Sequence, residues 1–313
     1  MILSFLYKQF YLIKYKYCFE CNKKNELDSK CFKCPNEILF KDINIISTEN
    51  TLNEIIRYNK SICRYGDGEF YLIFGHSITF QKYEYNLSKR LLEILNNNEK
   101  KILVGVFFPY KKKDLDLYRD SVKRYWNIWL SKNKLRLLKI LNKNKIYYSS
   151  DITRFYSNFK NKSGVPKYIT KLKKIWENRD IVIIEGEKSR VGIGNDLFNN
   201  TKTIKRIICP TKNSFRLYKK ILNSVLKINK NTLILISLGP TATVLAYDLT
   251  KYGYQAVDIG HIDIQYEFFL RNATKTIQIP YKFVNEYNGG KNENVGNITD
   301  INYYNQIIDK IIY

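Results

Sequence analysis

Between Ser47 and Pro280 the chain alternates short apolar runs with longer stretches of helical period, and that alternation leaves few folds open. Ser61 to Tyr65, Lys101 to Phe108, Ile146 to Ser150, Asp180 to Ile184 and Thr232 to Ser237 read as strands. The runs around Val104, Val182 and Ile234 are apolar at successive positions, as a strand covered on both faces must be. Between them, Leu52/Ile55/Ile56, Leu87/Leu91/Leu95, Val165/Ile169/Leu172 and Tyr218/Leu222/Val225 keep the spacing of one buried helix face. Strands joined through helices lie parallel, so the expected fold is α/β: a doubly wound, mostly parallel Rossmann-like sheet. Leu115, Tyr118, Val122, Tyr125, Trp126 and Trp129 hold helical spacing too, which makes both tryptophans core residues rather than a sugar platform. The expected division is an N-terminal extension over 1–45, a main domain over 46–290, and a tail helix within 291–313, around Tyr303 to Ile312.

In such a sheet, ligands bind beyond the carboxyl ends of the strands. The motifs of this chain fall there. After Ser61–Tyr65 comes Gly66-Asp67-Gly68-Glu69, two carboxylates separated by one glycine. In an extended turn both would project to one side, where Asp67 and Glu69 can hold one hard cation, Mn²⁺ or Mg²⁺, shared with a phosphate. Gly66 and Gly68 would let that phosphate approach the backbone. An Asp-Gly turn with two solvated acids fits the same residues.

Two later loops suit an anion. Leu238-Gly239-Pro240-Thr241-Ala242-Thr243 joins the most apolar strand to a helix, with proline at its first turn and the Thr241 and Thr243 hydroxyls nearby. Ordinary capping is the competing reading. In Gly186 to Asn195, Gly192 and Gly194 permit close backbone approach and Arg190 offers a planar fork for phosphate. Asp258-Ile259-Gly260-His261-Ile262-Asp263 ends the last strand. His261 and Asp263 are expected in the crevice of Asp67 and Glu69, His261 as a third metal ligand, and either group as the base for an acceptor hydroxyl. A histidine satisfied by backbone is the alternative.

Four segments occur in this order: Arg64 to Glu69, Gly186 to Phe198, Leu238 to Ala246, and Asp258 to Asp263. Together they resemble the GT-D type of glycosyltransferase, the family of streptococcal adhesin-type glucosyltransferase domains, over residues 46 to 290. The resemblance implies a GT-D-like fold and a metal-dependent transfer of sugar from a nucleotide diphosphate donor, a UDP-sugar, to a glycan hydroxyl. It places Arg64, Arg190, Asn195 and Asp196 with the nucleotide-sugar site. The acceptor class is a glycan, a glycoprotein or a lipid-linked saccharide.

Composition supplies the rivals. A formal charge of +24, from 53 basic and 29 acidic residues, favours anionic partners. Cys18-x-x-Cys21 and Cys31-x-x-Cys34 suit a structural Zn²⁺. A zinc-containing nucleic-acid-binding protein follows from those two features, but it leaves the strand-end motifs unexplained and the basic residues look scattered. A non-catalytic subunit that binds sugar nucleotides is a second rival. Lysines interrupt the apolar start at Lys8, Lys14 and Lys16, so no spanning segment or export signal is expected there. Leu3, Leu6, Phe10 and Ile13 instead suggest an amphipathic helix against a membrane face or the main domain. The expected setting is cytoplasmic, with peripheral membrane contact.

Overall fold

The computed structural model describes residues 40–109, 112–290 and 295–313. They form two compact units. The smaller takes in 40–44, Phe108–Asn144 and Asn158–Lys160; the larger takes in Ile45–Phe107, Lys145–Ser157 and Asn161–Tyr313.

Nine strands are described: β1 (Asn44–Ile45), β2 (Ser61–Tyr65), β3 (Ile102–Val106), β4 (Ile146–Ser149), β5 (Asp180–Gly186), β6 (Thr203–Cys209), β7 (Leu233–Ser237), β8 (Ala256–Asp258) and β9 (Ile307–Lys310). Their order across one sheet is β1-β4-β3-β2-β8-β7-β5-β6-β9. Each pair from β4 across to β9 is parallel, with Ile62 opposite Leu103 on one side and Val257 on the other. The helices are α1 (Thr48–Tyr58), α2 (Asp67–Ile73), α3 (Tyr85–Leu95), α4 (Lys112–Leu115), α5 (Asp120–Ile140), α6 (Val165–Lys173), α7 (Tyr218–Val225), α8 (Pro240–Lys251), α9 (Ile262–Leu270) and α10 (Ile301–Asn305).

Alternation along the strands sorts the core into two layers. Ile62, Leu103, Ile183, Leu235 and Val257 pack with Leu52 and Ile55 of α1, Ile169 and Leu172 of α6, and Ile262 of α9. On the other side α8 lies against β2, β7 and β8 and against α3 and α7. Layered between sheet and helices, α8 buries ten of its twelve residues. Local signals set the boundaries. Ser47 caps α1 by accepting from Asn50 N, and Asn59 closes that helix at φ 50°.

Three elements depart from the sequence reading. Asp67 opens a helix rather than an extended turn. Thr203–Cys209, whose first half is half polar and exposed, is a seven-residue strand along β5. The tail is helical only over Ile301–Asn305; Ile307–Lys310 pairs with β6 as an edge strand, because an open sheet edge satisfies its backbone. In the smaller unit, α5 buries Trp126 and Trp129, whose rings meet edge-on at 5.4 Å. That packing matches their helical spacing.

Candidate active site

At the carboxyl end of β2, Arg64 is bonded to the protein along its whole guanidinium. Nε donates to Asp258 O at 2.8 Å and Nη2 to Asp258 Oδ1 at 2.9 Å; Nη1 donates to Thr153 Oγ1 at 2.6 Å and Ser150 O at 3.2 Å. This ties the ends of β2, β4 and β8 together. Asp258 is buried, and burial lifts its carboxyl above the usual range although Arg64 opposes the shift. Gly260 has φ 42°, and a Cβ there would stand 1.8 Å from Arg64 Nη2. Only glycine fits over the guanidinium. Arg64 thus forms a floor at these strand ends, with each of its three nitrogens bonded to the protein.

Directly after this floor, Asp67 and Glu69 occupy the first and third positions of α2. Positions two apart on a helix do not face each other, so the shared side expected from an extended turn is absent. Glu69 instead folds back, and Oε2 accepts from Gly66 N at 2.8 Å. Burial pushes Glu69 up to about 7; the Gly66 bond opposes this, and Asp258 and Asp67 add to it. Burial first, and the neighbouring carboxylates second, act against a charge on Glu69. Among the described residues, no three His, Cys, Asp or Glu side chains are grouped to hold a metal ion. A cation at Asp67 and Glu69 would complete its shell with water and ligand oxygens, a common arrangement for Mg²⁺.

His261 is the N-cap of α9. Its Nδ1 lies 2.8 Å from Glu286 Oε1 and 3.3 Å from Arg154 Nη2. The shorter contact makes Nδ1 the donor to the carboxylate, and Arg154 Nη1 donates to the same Oε1 at 2.7 Å. Burial works against the charge on Glu286, yet His261 and Arg154 hold its carboxyl well below the usual range. Burial also works against Arg154, but Glu286, with Asp67 and Asp151 behind it, raises its guanidinium above its ordinary value. Asp67 and this trio share one electrostatic neighbourhood.

The start of α8 joins the same region, because Thr243 Oγ1 donates to Arg64 O at 2.9 Å. Gly239 precedes Pro240 at φ 52°, with no side-chain cap. A Cβ on Gly239 would meet the Phe80 ring at 2.5 Å. Thr241 is fully buried, and its Oγ1 has no hydrogen-bond partner among the described residues.

The loop after β5 is built differently. Glu185 and Arg206 are an ion pair at 2.5 Å with side-chain exposures of 0% and 2%. Glu185 Oε2 also accepts from Val191 N at 2.6 Å, and Arg206 Nε donates to Gln306 Oε1 at 2.7 Å. Beyond it, Lys282 Nζ donates to Asp263 Oδ2 at 2.7 Å and Glu267 Oε1 at 3.0 Å, while Asn195 Nδ2 donates to both carboxylates. Arg190 turns to Tyr281 O and Gly296 O, and Asp196 takes Lys173 and Tyr266. Gly192, at φ 77°, passes under the Phe198 ring.

The family described as Glycosyltransferase GT-D fold matches residues 62–287. A probable glycosyl transferase Gly of Streptococcus gordonii is 37% identical over 251 residues, 79% of this chain and 36% of that protein. Glycosyltransferase GlyD of Streptococcus pneumoniae is 35% identical over 286 residues, 88% of this chain and 34% of that protein. The chain belongs to the GT-D glycosyltransferase family. It spans about a third of the length of these curated relatives. A solved domain of unknown function 1792, described as having a distinct glycosyltransferase fold, superposes with a TM-score of 0.84 at 36% identity, over 90% of this chain and 99% of that one. A glycosyltransferase of the same domain type from Streptococcus sanguinis gives 0.82 at 34% identity, over 86% and 99%.

Within this GT-D domain the sequence-selected residues divide into two sets. Arg64, Gly66, Asp67, Gly68, Glu69, Gly239, Thr241, Thr243 and His261 lie around the ends of β2, β7 and β8. Asn195 and Asp263 are bound into the Lys282 network, and Arg190 and Asp196 into neighbouring loop contacts. Asp263, 2% exposed, was expected in the open crevice; as the second residue of α9 it faces Lys282 instead. Glu286 and Phe80 escaped the sequence reading, since an isolated acid in an Asn/Gly-rich loop and an isolated aromatic carry no spacing signal. Cys18, Cys21, Cys31 and Cys34 lie outside the described residues. Cys63 and Cys209 are buried free thiols, and burial raises both thiol groups.

Proposed function

We propose that this GT-D domain transfers a sugar from a nucleotide diphosphate donor, a UDP-sugar, to a hydroxyl of a glycan, glycoprotein or lipid-linked saccharide, with Mn²⁺ or Mg²⁺ held by Asp67 and Glu69. The observation that carries this reading is the placing of Asp67 and Glu69 in the first turn of α2, directly after β2 and beside the start of α8, where Thr243 bonds to Arg64 O. A cation there neutralises the two carboxylates and, when bound, balances the charge of the departing diphosphate. The uncapped start of α8 and the unpartnered Thr241 hydroxyl suit the diphosphate oxygens. Arg64 keeps the floor rigid, because all its bonds run to β4 and β8 neighbours.

In the transfer, the acceptor oxygen bonds to the anomeric carbon as the carbon–oxygen bond to the diphosphate breaks. If configuration inverts, the acceptor proton passes to one base. His261 suits that role better than Asp263: Glu286 orients its ring through Nδ1, and in the neutral imidazole this leaves Nε2 as the proton acceptor, whereas Asp263 is bonded to Lys282 and Asn195. A retaining transfer needs no base from this set.

The test is donor consumption and acceptor glycosylation by the purified chain with Mn²⁺, beside the Asp67→Asn and Glu69→Gln variants. A loss of at least about 100-fold in each variant, with the fold intact, is expected for groups holding a catalytic metal. Undiminished transfer in both would refute the assignment.

A further inference from the structure

One acid-free stretch of the chain forms a long helix that the site does not use. After Asp120 the next acidic residue is Asp151, and the 30 residues between them hold eight Lys or Arg. At the chain's average density such a stretch would hold about three acids. Most of it is α5, in the smaller unit. The helix is fixed by its inner face, where Trp126, Trp129, Leu130 and Leu137 are buried together with Lys123, Asn133 and Lys134, so only part of the basic charge reaches the surface. Its outer face presents Arg124, Tyr125, Ile128, Lys132, Leu135 and Lys139, all exposed and three or four residues apart apart from the adjacent first pair. They make one stripe about 22 Å long at 1.5 Å per residue. Tyr125, Ile128 and Leu135 are 44%, 41% and 40% exposed.

A solvated helix face mixes both signs of charge and few large apolar groups. This stripe has one sign only, with apolar side chains between the cations. That composition suits the boundary of an anionic bilayer, where the apolar groups enter the acyl edge and the cations meet headgroup phosphates. A nucleic acid would use the cations but gain little from Ile128 and Leu135. No helix among the described residues is long and apolar enough to cross a membrane, so the contact is peripheral.

We infer that the outer face of α5 docks the protein on an anionic lipid surface. The inference does not rest on the donor or metal assignment.

It is tested by co-sedimentation of the full chain with phosphatidylcholine vesicles, with and without roughly one-third phosphatidylglycerol. Expected is binding to the anionic vesicles alone, weakened by salt. Combined Arg124→Glu, Lys132→Glu and Lys139→Glu should lower the partition at least about 100-fold, given a several-fold contribution from each cation. Ile128→Ser with Leu135→Ser should lower it about 10-fold at low salt. All five positions are exposed, and an unchanged unfolding transition confirms that each variant is folded. Equal binding to neutral vesicles, or charge reversal without effect, overturns the inference. So does serine substitution without effect alongside tight binding to RNA, which would assign the stripe to nucleic acid.

Discussion

Two ionic regions sit at the carboxyl ends of the same sheet, and they are finished to different degrees. Around β5 and β6, Glu185 meets Arg206, while Lys282 and Asn195 meet Asp263 and Glu267. The charges are buried and paired and hold a loop in shape, although burial raises the Glu185 carboxyl too and the Thr211 hydroxyl after β6 has no hydrogen-bond partner among the described residues. Around β2 and β8, Arg64 matches Asp258, yet Glu69 remains strained toward its protonated form and the Thr241 hydroxyl lacks a partner. Unmatched polarity in a well-packed place points to a missing ligand; matched polarity points to architecture. Both regions contain residues of the family motifs, so motif membership alone does not separate the two roles.

Removing one member of the matched pair should have the largest effect. Arg206→Leu leaves Glu185 buried without its cation and should cost about 3–5 kcal/mol by chemical denaturation. A cost below 1 kcal/mol would mean that the β5 region is not the closed network described. Gly260→Ala drives a methyl into the Arg64 guanidinium at φ 42°; a loss of about 2 kcal/mol is expected, together with weaker donor binding, because the floor under Asp67 shifts. Normal stability and binding would detach Arg64 from the site. Thr241→Val should be the mildest. With no bond to lose, the free protein should hold or gain up to about 1 kcal/mol, while affinity for UDP falls about 5- to 10-fold. Valine binding UDP as well as threonine would remove Thr241 from the diphosphate site.

The sheet was legible because β2, β3, β5 and β7 are apolar enough to be read without their neighbours. Thr203–Cys209 was not, since Lys205 and Arg206 interrupt it and its place is explained by Glu185, a residue 21 positions away in sequence. Ile307–Lys310 likewise becomes a strand through the edge of β6 that receives it. At the site, Asp67, Glu69, Thr241 and His261 were legible from their positions after strands. The helical start at Asp67 was not, because Asp-Gly favours turns and the first helical turn alike. Arg64 and Asp263 stand out in the sequence by their place at strand ends, but their partners do not: Thr153, Asp258 and Lys282 are brought in by the fold.

The β2 end is proposed here as the unfinished, ligand-seeking region. Calorimetric titration of the purified chain with UDP, with and without Mn²⁺, then repeated on Asp67→Asn, tests it most directly. Binding that requires Mn²⁺ and is lost in Asp67→Asn, while unfolding is unchanged, is the expected result. Metal-independent binding that survives the substitution would contradict it and move the diphosphate away from Asp67.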